Sequence, residues 1–156
     1  MGIKNFFKFL EGKGKEIPFK IKIGFFPEEL SPEELNVTGD LDLSWTPIKT
    51  LPKGLNVTGN LDLSNCEALV SLPEGLNVTG SLDLSELPIK TLPEGLTVGG
   101  NLELFGCTSL VSLPEGLNVG GNLYISKKLL DKYGGEDGVR KFIEDNGGYV
   151  KKRIVW

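Results

Sequence analysis

The sequence predicts a mainly β protein: a parallel β solenoid of about four to five coils, with a strand/helix cap at its N-terminus and a helical cap at its C-terminus. The first observation is a repeat. Leu35-Asn-Val-Thr-Gly39, Leu55-Asn-Val-Thr-Gly59, Leu76-Asn-Val-Thr-Gly80, Leu96-Thr-Val-Gly-Gly100 and Leu117-Asn-Val-Gly-Gly121 start 20, 21, 20 and 21 residues apart. A period this short marks a solenoid, whose units must stack because none can bury its apolar face alone. The second observation is the pattern within a unit. Leu76–Val78 and Leu82–Leu84 each alternate with strand spacing, and Thr79-Gly80 makes a turn between them. The third is the absence, within any unit, of a stretch long enough for a helix.

In chain order, residues 1–34 form an N-terminal cap. Residues 3–10 read as a short helix with Ile3, Phe6, Phe7 and Leu10 on one face, and Ile17-Pro-Phe-Lys-Ile-Lys-Ile23 alternates like a capping strand. Leu30-Ser-Pro-Glu-Glu-Leu35 echoes Leu-Pro-Glu-Gly-Leu and leads into the first unit. Residues 35–126 are the solenoid. Each coil closes through a Leu-Pro-Glu-Gly or similar turn, where proline presets its own φ and glycine supplies a positive one. Residues 127–156 are the C-terminal cap, within the same structural domain. Lys127–Tyr133 and Glu136–Asp145 read as helices closed by Gly134-Gly135 and Gly147-Gly148, and Tyr149–Trp156 as a final strand. Phe142, Ile143, Ile154 and Trp156 are expected to cover the open end, because an uncapped sheet edge invites association.

The unit resembles the leucine-rich repeat, in particular the short bacterial and phage-type form that carries a Leu-Pro pair. The residues are Leu41, Leu43, Thr46, Ile48, Leu51 and Pro52; then Leu61, Leu63, Cys66, Leu69, Leu72 and Pro73. They continue through Leu82, Leu84, Leu87, Ile89, Leu92 and Pro93, and through Leu102, Leu104, Cys107, Leu110, Leu113 and Pro114. The resemblance covers roughly residues 30–126. In that family a cysteine form of the unit carries one extra residue, which accounts for the 21-residue units containing Cys66 and Cys107. The chain departs from the family in two ways. An asparagine ladder is absent, and the Leu-x-Val-x-Gly turn replaces the more usual helix or extended segment. The resemblance implies a leucine-rich-repeat-like fold, a bacterial or phage setting, and action on another protein.

Composition narrows the function classes. The chain has no histidine, so the usual general base, the commonest metal ligand and a pH switch are missing. Cys66 and Cys107 lie two coils apart, about 10 Å at strand spacing, which is too far for a disulfide. They read as reduced, buried thiols of a cytoplasmic protein. No apolar run is long enough to span a membrane, and the start is a poor signal peptide because Lys4 and Lys8 interrupt it. Gly2 lacks the Ser or Thr that myristoylation wants, since Phe6 stands there. The recurring Asn-Val-Thr triplets at 36, 56 and 77 match a glycosylation pattern but read as by-products of the repeat. No cofactor and no metal are expected.

Charge is partitioned along the chain. The net charge of −4 divides into +4 over residues 1–24, −11 over 25–126 and +3 over 127–156. An acidic solenoid thus lies between basic ends, which excludes nucleic-acid binding through the repeats. The second residue of each Leu-x-Leu points away from the core, so Asp42, Asp62, Asp83, Glu103 and Tyr124 form an exposed column. Unit charges about 5 Å apart repel by roughly 0.8 kcal/mol in a water-like dielectric, before salt screening. A basic partner would relieve that cost; alternatively the acids only keep an exposed sheet soluble. Trp45, Phe105 and Glu86 break the repeat beside this column. Trp45 and Phe105 are aromatic anchors of the kind that dominate binding hot spots, unless they pack under the N-terminal cap and the C-terminal helices.

The expectation is a non-catalytic protein-binding module, a monomer or weak dimer, using its acidic sheet face to bind a basic protein surface. An inhibitor, counter-defence protein or antitoxin would suit it. The competing expectation is a structural, designed or consensus scaffold with no dedicated partner. Two carboxylates facing across a cleft in unlike environments, as a glycosidase needs, are not expected from equivalent adjacent rungs.

Overall fold

The computed structural model describes residue 5, residues 12–14, 18–25 and 27–156. The helix expected over 3–10 lies, apart from residue 5, outside the described residues.

Two parallel six-stranded sheets face each other across one apolar core. β1 (Asn36–Val37), β3 (Asn56–Val57), β5 (Asn77–Val78), β7 (Thr97–Val98), β9 (Asn118–Val119) and β11 (Tyr149–Val150) make the first sheet. β2 (Leu41–Asp42), β4 (Leu61–Asp62), β6 (Leu82–Asp83), β8 (Leu102–Glu103), β10 (Leu123–Tyr124) and β12 (Ile154–Val155) make the second. Equivalent residues are in register from coil to coil: Asn36 on Asn56, Leu61 on Leu82, Asp83 on Glu103. Register is fixed because a slip of one residue would turn the leucines of Leu-x-Leu to solvent. Leu43, Leu63, Leu84, Leu104 and Ile125 form one fully buried column, and Val57, Val78, Val98 and Val119 face them. The core holds no buried polar or charged side chain among the described residues.

The turn between the two strands of a coil needs glycine for space. A Cβ at Gly80 would lie 2.5 Å from the carbonyl oxygen of Gly59 in the coil below. The two cysteines occupy one position two coils apart, both buried and free. Each donates to a carbonyl of the preceding coil, Cys66 Sγ to Leu43 O at 3.1 Å and Cys107 Sγ to Leu84 O at 3.0 Å.

Asparagine ladders exist, contrary to expectation. On the first sheet, Asn56 Nδ2 donates to Asn36 Oδ1 at 3.1 Å and Asn77 Nδ2 to Asn56 Oδ1 at 2.7 Å. Thr97 continues the column and accepts from Asn118. The side chains of Asp40, Asn60, Ser81, Asn101 and Asn122 form a second ladder, each accepting the backbone N–H of its successor one coil on. The last of these successors is Arg153. Such side-chain-to-backbone bonds satisfy amides at the turns that the short strands leave unpaired.

The N-terminal cap is a helix where a strand was expected. α1 (Phe19–Phe25) starts behind Pro18, whose carbonyl accepts from Ile21 and Lys22. The alternation over Ile17–Ile23 is compatible with a helix because Phe19 and Ile23 are four apart and share a face. Ile23 is fully buried and Phe19 packs beside it. Ser31 and Glu34 then exchange bonds, Glu34 N to Ser31 Oγ and Ser31 N to Glu34 Oε2, in the reciprocal pattern of a capping box. Lys22 Nζ meets Glu34 Oε1 at 2.8 Å, and these contacts hold the Glu34 carboxyl below its ordinary range.

At the other end, α2 (Lys127–Tyr133) is capped by Ser126 and ends at Gly134 with φ of 82°. α3 (Glu136–Asp145) follows. The expected final strand is instead two short strands, one in each sheet, so 149–156 is a sixth coil in disguise: Tyr149 pairs with Asn118 and Ile154 with Leu123. Ile143 and Ile154 are buried and Phe142 packs on the core, as expected. Trp156 does not cover the end. It takes the register position after Val155 but remains 57% exposed. Arg140 shields the edge of the first sheet, donating to Val150 O at 2.8 Å and Lys152 O at 2.9 Å.

Candidate functional site: the acidic sheet face

The outer face of the second sheet brings the expected column together. Asp42, Asp62, Asp83, Glu103 and Tyr124 are aligned rung by rung. Strand spacing puts successive rungs about 4.8 Å apart. Asp42 is exposed and the other four are half-buried by their neighbours.

Each aspartate also has a local task that the sequence reading missed. Oδ1 of Asp42, Asp62 and Asp83 accepts the backbone N–H of the serine two residues on, at 2.9, 2.9 and 2.8 Å. Ser44 adds its hydroxyl to Asp42 at 2.7 Å. The Asp-x-Ser recurrence was the available signal, because Asp side chains bond their own backbone two residues ahead. Glu103 is followed by Phe105, and the serine is lost with the aspartate.

The ends of the column differ electrically. At Asp42, the Ser44 hydroxyl and N–H, with the Lys20 ammonium, hold the carboxyl below its ordinary range. Lys20 Nζ lies 3.5 Å from Asp42 Oδ2. At Glu103, partial burial and then the charges of Asp83 and Asp62 push the carboxyl up. No cation among the described residues pairs with Asp62, Asp83 or Glu103.

Aromatic residues stand at both ends of this face. Trp45 follows Asp42 in the turn and is 74% exposed, so it does not pack under the N-terminal cap. Phe105 is exposed rather than covered by the C-terminal helices, and it leans on Tyr124 with ring centroids 5.6 Å apart at 53°. Trp45, Asn65, Glu86 and Gly106 occupy one turn position, and all four have positive φ: 58°, 59°, 63° and 70°. Asparagine and glycine accept this conformation readily, whereas tryptophan and glutamate are strained in it. Trp45, Thr46, Pro47, Asn65, Glu67 and Ala68 line a shallow cleft of about 380 Å³. Glu86 is exposed, and its carboxylate lies over Gly106.

A larger concavity, about 770 Å³, lies elsewhere and was not anticipated. It runs beside the Leu-Pro-Glu-Gly turns, where Glu74, Glu94 and Glu115 stack and Lys132, Tyr133 and Phe142 form the opposite wall. Tyr133 closes part of it, accepting Leu113 N–H at 3.0 Å and packing on Phe142 at 4.7 Å.

Chemically, the acidic face presents charge and apolar rings on a rigid sheet. Among the described residues no group of three or more His, Cys, Asp or Glu converges to hold a metal ion. Burial pushes the Cys107 thiol up to about 11, so at neutral pH it stays protonated and unreactive. No helix among the described residues is long and apolar enough to cross a membrane. No family model, curated protein or solved structure matches the chain.

Proposed function

We propose that this chain is a non-catalytic protein-binding module whose acidic sheet face docks on a basic surface of another protein. The observation that carries this reading is Trp45. An exposed tryptophan is held at positive φ, where the equivalent coils place Asn65, Glu86 and Gly106, and it stands beside a carboxylate column in which Asp62, Asp83 and Glu103 pair with no cation among the described residues. A strained, exposed aromatic residue does nothing for the coil, and strain of this kind gathers at functional positions. Its large rigid ring is what a binding hot spot uses. The leucine-rich-repeat resemblance belongs to the same proposal, with a bacterial or phage inhibitor, counter-defence protein or antitoxin acting in the cytoplasm as its finer form.

One observation favours a second reading. The Asp-x-Ser bonds give Asp42, Asp62 and Asp83 a structural task that needs no partner, as a bare scaffold would have. The experiment must therefore remove charge and keep the acceptor. Asp62→Asn with Asp83→Asn does this, because the amide oxygen can still take the serine N–H. Affinity capture from bacterial lysate with the native chain and with D62N/D83N separates the readings. A basic protein retained by the first and released by the second supports docking through the acidic face. Identical capture by both, or none by either, favours the scaffold.

A further inference from the structure

We infer that an arginine of the docking partner enters the cleft beside Trp45, its guanidinium stacked on the indole and forked on the Glu67 carboxylate. This rests on the docking role proposed above and names the residue by which the partner is held.

The cleft lies between two successive coils. Trp45 and Pro47 come from the turn of one coil, and Asn65 and Glu67 from the same turn of the next, around a volume of about 380 Å³. The Trp45 side chain is 74% exposed, so an aromatic face is open to a ligand. Glu67 is exposed, and among the described residues it pairs with no cation and accepts no hydrogen bond. Both of its oxygens are therefore open as well. Asp42, Asp62 and Asp83 differ, because each already holds a serine N–H on Oδ1.

Charge selects a cation as the occupant. No basic residue lines the cleft, and the stretch 25–126 around it carries −11. The shape of the site then selects between cations. An ammonium meets a carboxylate as a point charge, whereas a guanidinium is planar, stacks on a tryptophan face and offers two parallel N–H groups to one carboxylate. An open indole and a carboxylate with two free oxygens are the two halves of that contact.

The neighbouring cleft supplies the contrast. It continues along the same turns, holds about 200 Å³ and is bounded by Glu67, Glu86, Pro88 and Gly106. Glu86 and Gly106 occupy there the turn position that Trp45 takes in its own coil. That cleft has carboxylates and no ring. Coil stacking is common to both clefts; the pairing of ring and carboxylate is found only in the first of the two.

The test titrates three small probes into the full 15N-labelled chain: N-acetylarginine amide, N-acetyllysine amide and N-acetylcitrulline amide, the last planar but uncharged. The chain carries Trp156→Phe, so that of its two tryptophans only Trp45 gives an indole N–H signal. Arginine is expected to bind about fivefold more tightly than lysine or citrulline, as an exposed cation–π contact with a forked bond allows. Glu67→Gln is expected to lower arginine to the level of citrulline. Trp45→Asn, followed at the Asn65 side-chain amide, is expected to lower it to the level of lysine. Equal binding of arginine and lysine, equal binding of arginine and citrulline, no binding of arginine, or indifference to Glu67→Gln overturns the inference. D62N/D83N should leave arginine binding within about twofold, because salt screens the sheet charges. A loss as large as that of Glu67→Gln would put the arginine on the sheet and also overturn it. The lysate capture decides the docking role separately. A protein released by D62N/D83N, with no arginine bound in the cleft, leaves docking standing and removes the arginine alone. Capture unchanged by D62N/D83N removes the docking role and this inference with it.

Discussion

Trp45 shows at residue scale how far local chemistry reads out of a sequence. Its exposure was foreseeable as one of two outcomes; its positive φ was signalled only indirectly, because Asn65 and Gly106, the residue types that tolerate that region, share its column. Trp45→Asn places there what the next coil already uses. It is expected to stabilise the fold by about 0.5–1 kcal/mol in chemical denaturation, through relief of left-handed strain, while weakening partner binding. A stabilised variant with undiminished binding would remove Trp45 from the site. The aspartate column was legible because strands alternate with period two, whereas its bonds to serine depend on turn geometry that alternation does not specify. The buried thiol makes a separate prediction. The Cys107 proton is held to about 11 in the fold, above the ordinary thiol value of 9.0. Between those values the folded state binds more protons than the unfolded state, so stability falls as pH rises from 9 to 11. Denaturation midpoints of Cys107→Ala should fall less steeply over that range than those of the native chain.

The repeat dictated the coils, and the elements at the two ends were harder to read. Seven residues at Ile17–Ile23 satisfied a strand pattern while Phe19 and Ile23 also satisfied a helical one, and packing on the core decided for α1. The sixth coil escaped because helices α2 and α3 are inserted before it and because it keeps only the valine, Val150, of the Leu-Asn-Val phrase. Only its apolar positions, Val150 and Ile154, keep the spacing. Arg140 is the element-scale device that lets this coil end the first sheet. Its guanidinium takes the Val150 and Lys152 carbonyls that a further strand would have bonded, and Glu136 lies 3.6 Å from it. Arg140→Ala strands both carbonyls and should cost about 2 kcal/mol. Hydrogen exchange should then accelerate first at Lys151 and Tyr149, the amides bonded to β9 and its neighbours, before the central coils respond. Uniform acceleration throughout the chain would mean that Arg140 does not act at the edge.

For the whole molecule, the decisive feature is the separation of charge between the acidic solenoid and its basic ends, legible from the sequence alone. What composition could not supply was where the acids go. Some stack on the second sheet, and Glu74, Glu94 and Glu115 stack along the turns, because every coil places equivalent residues in register. Like charges at rung spacing repel, and salt screens them over about 8–10 Å. The melting temperature of the native chain should therefore rise with added sodium chloride from low to physiological ionic strength, and the rise should be smaller in D62N/D83N. An equal salt response in both would show that these rungs are not the seat of the repulsion. The central claim is that the second sheet's outer face is the docking surface. Amide and indole chemical-shift mapping tests it most directly, with the captured basic protein titrated into the 15N-labelled chain. Perturbations are expected at Asp42, Asp62, Asp83, Glu103 and the Trp45 indole, leaving the Asn36, Asn56 and Asn77 ladder unchanged. Shifts confined to the cleft of Glu94, Glu115 and Tyr133, or to Lys151–Arg153, would contradict it.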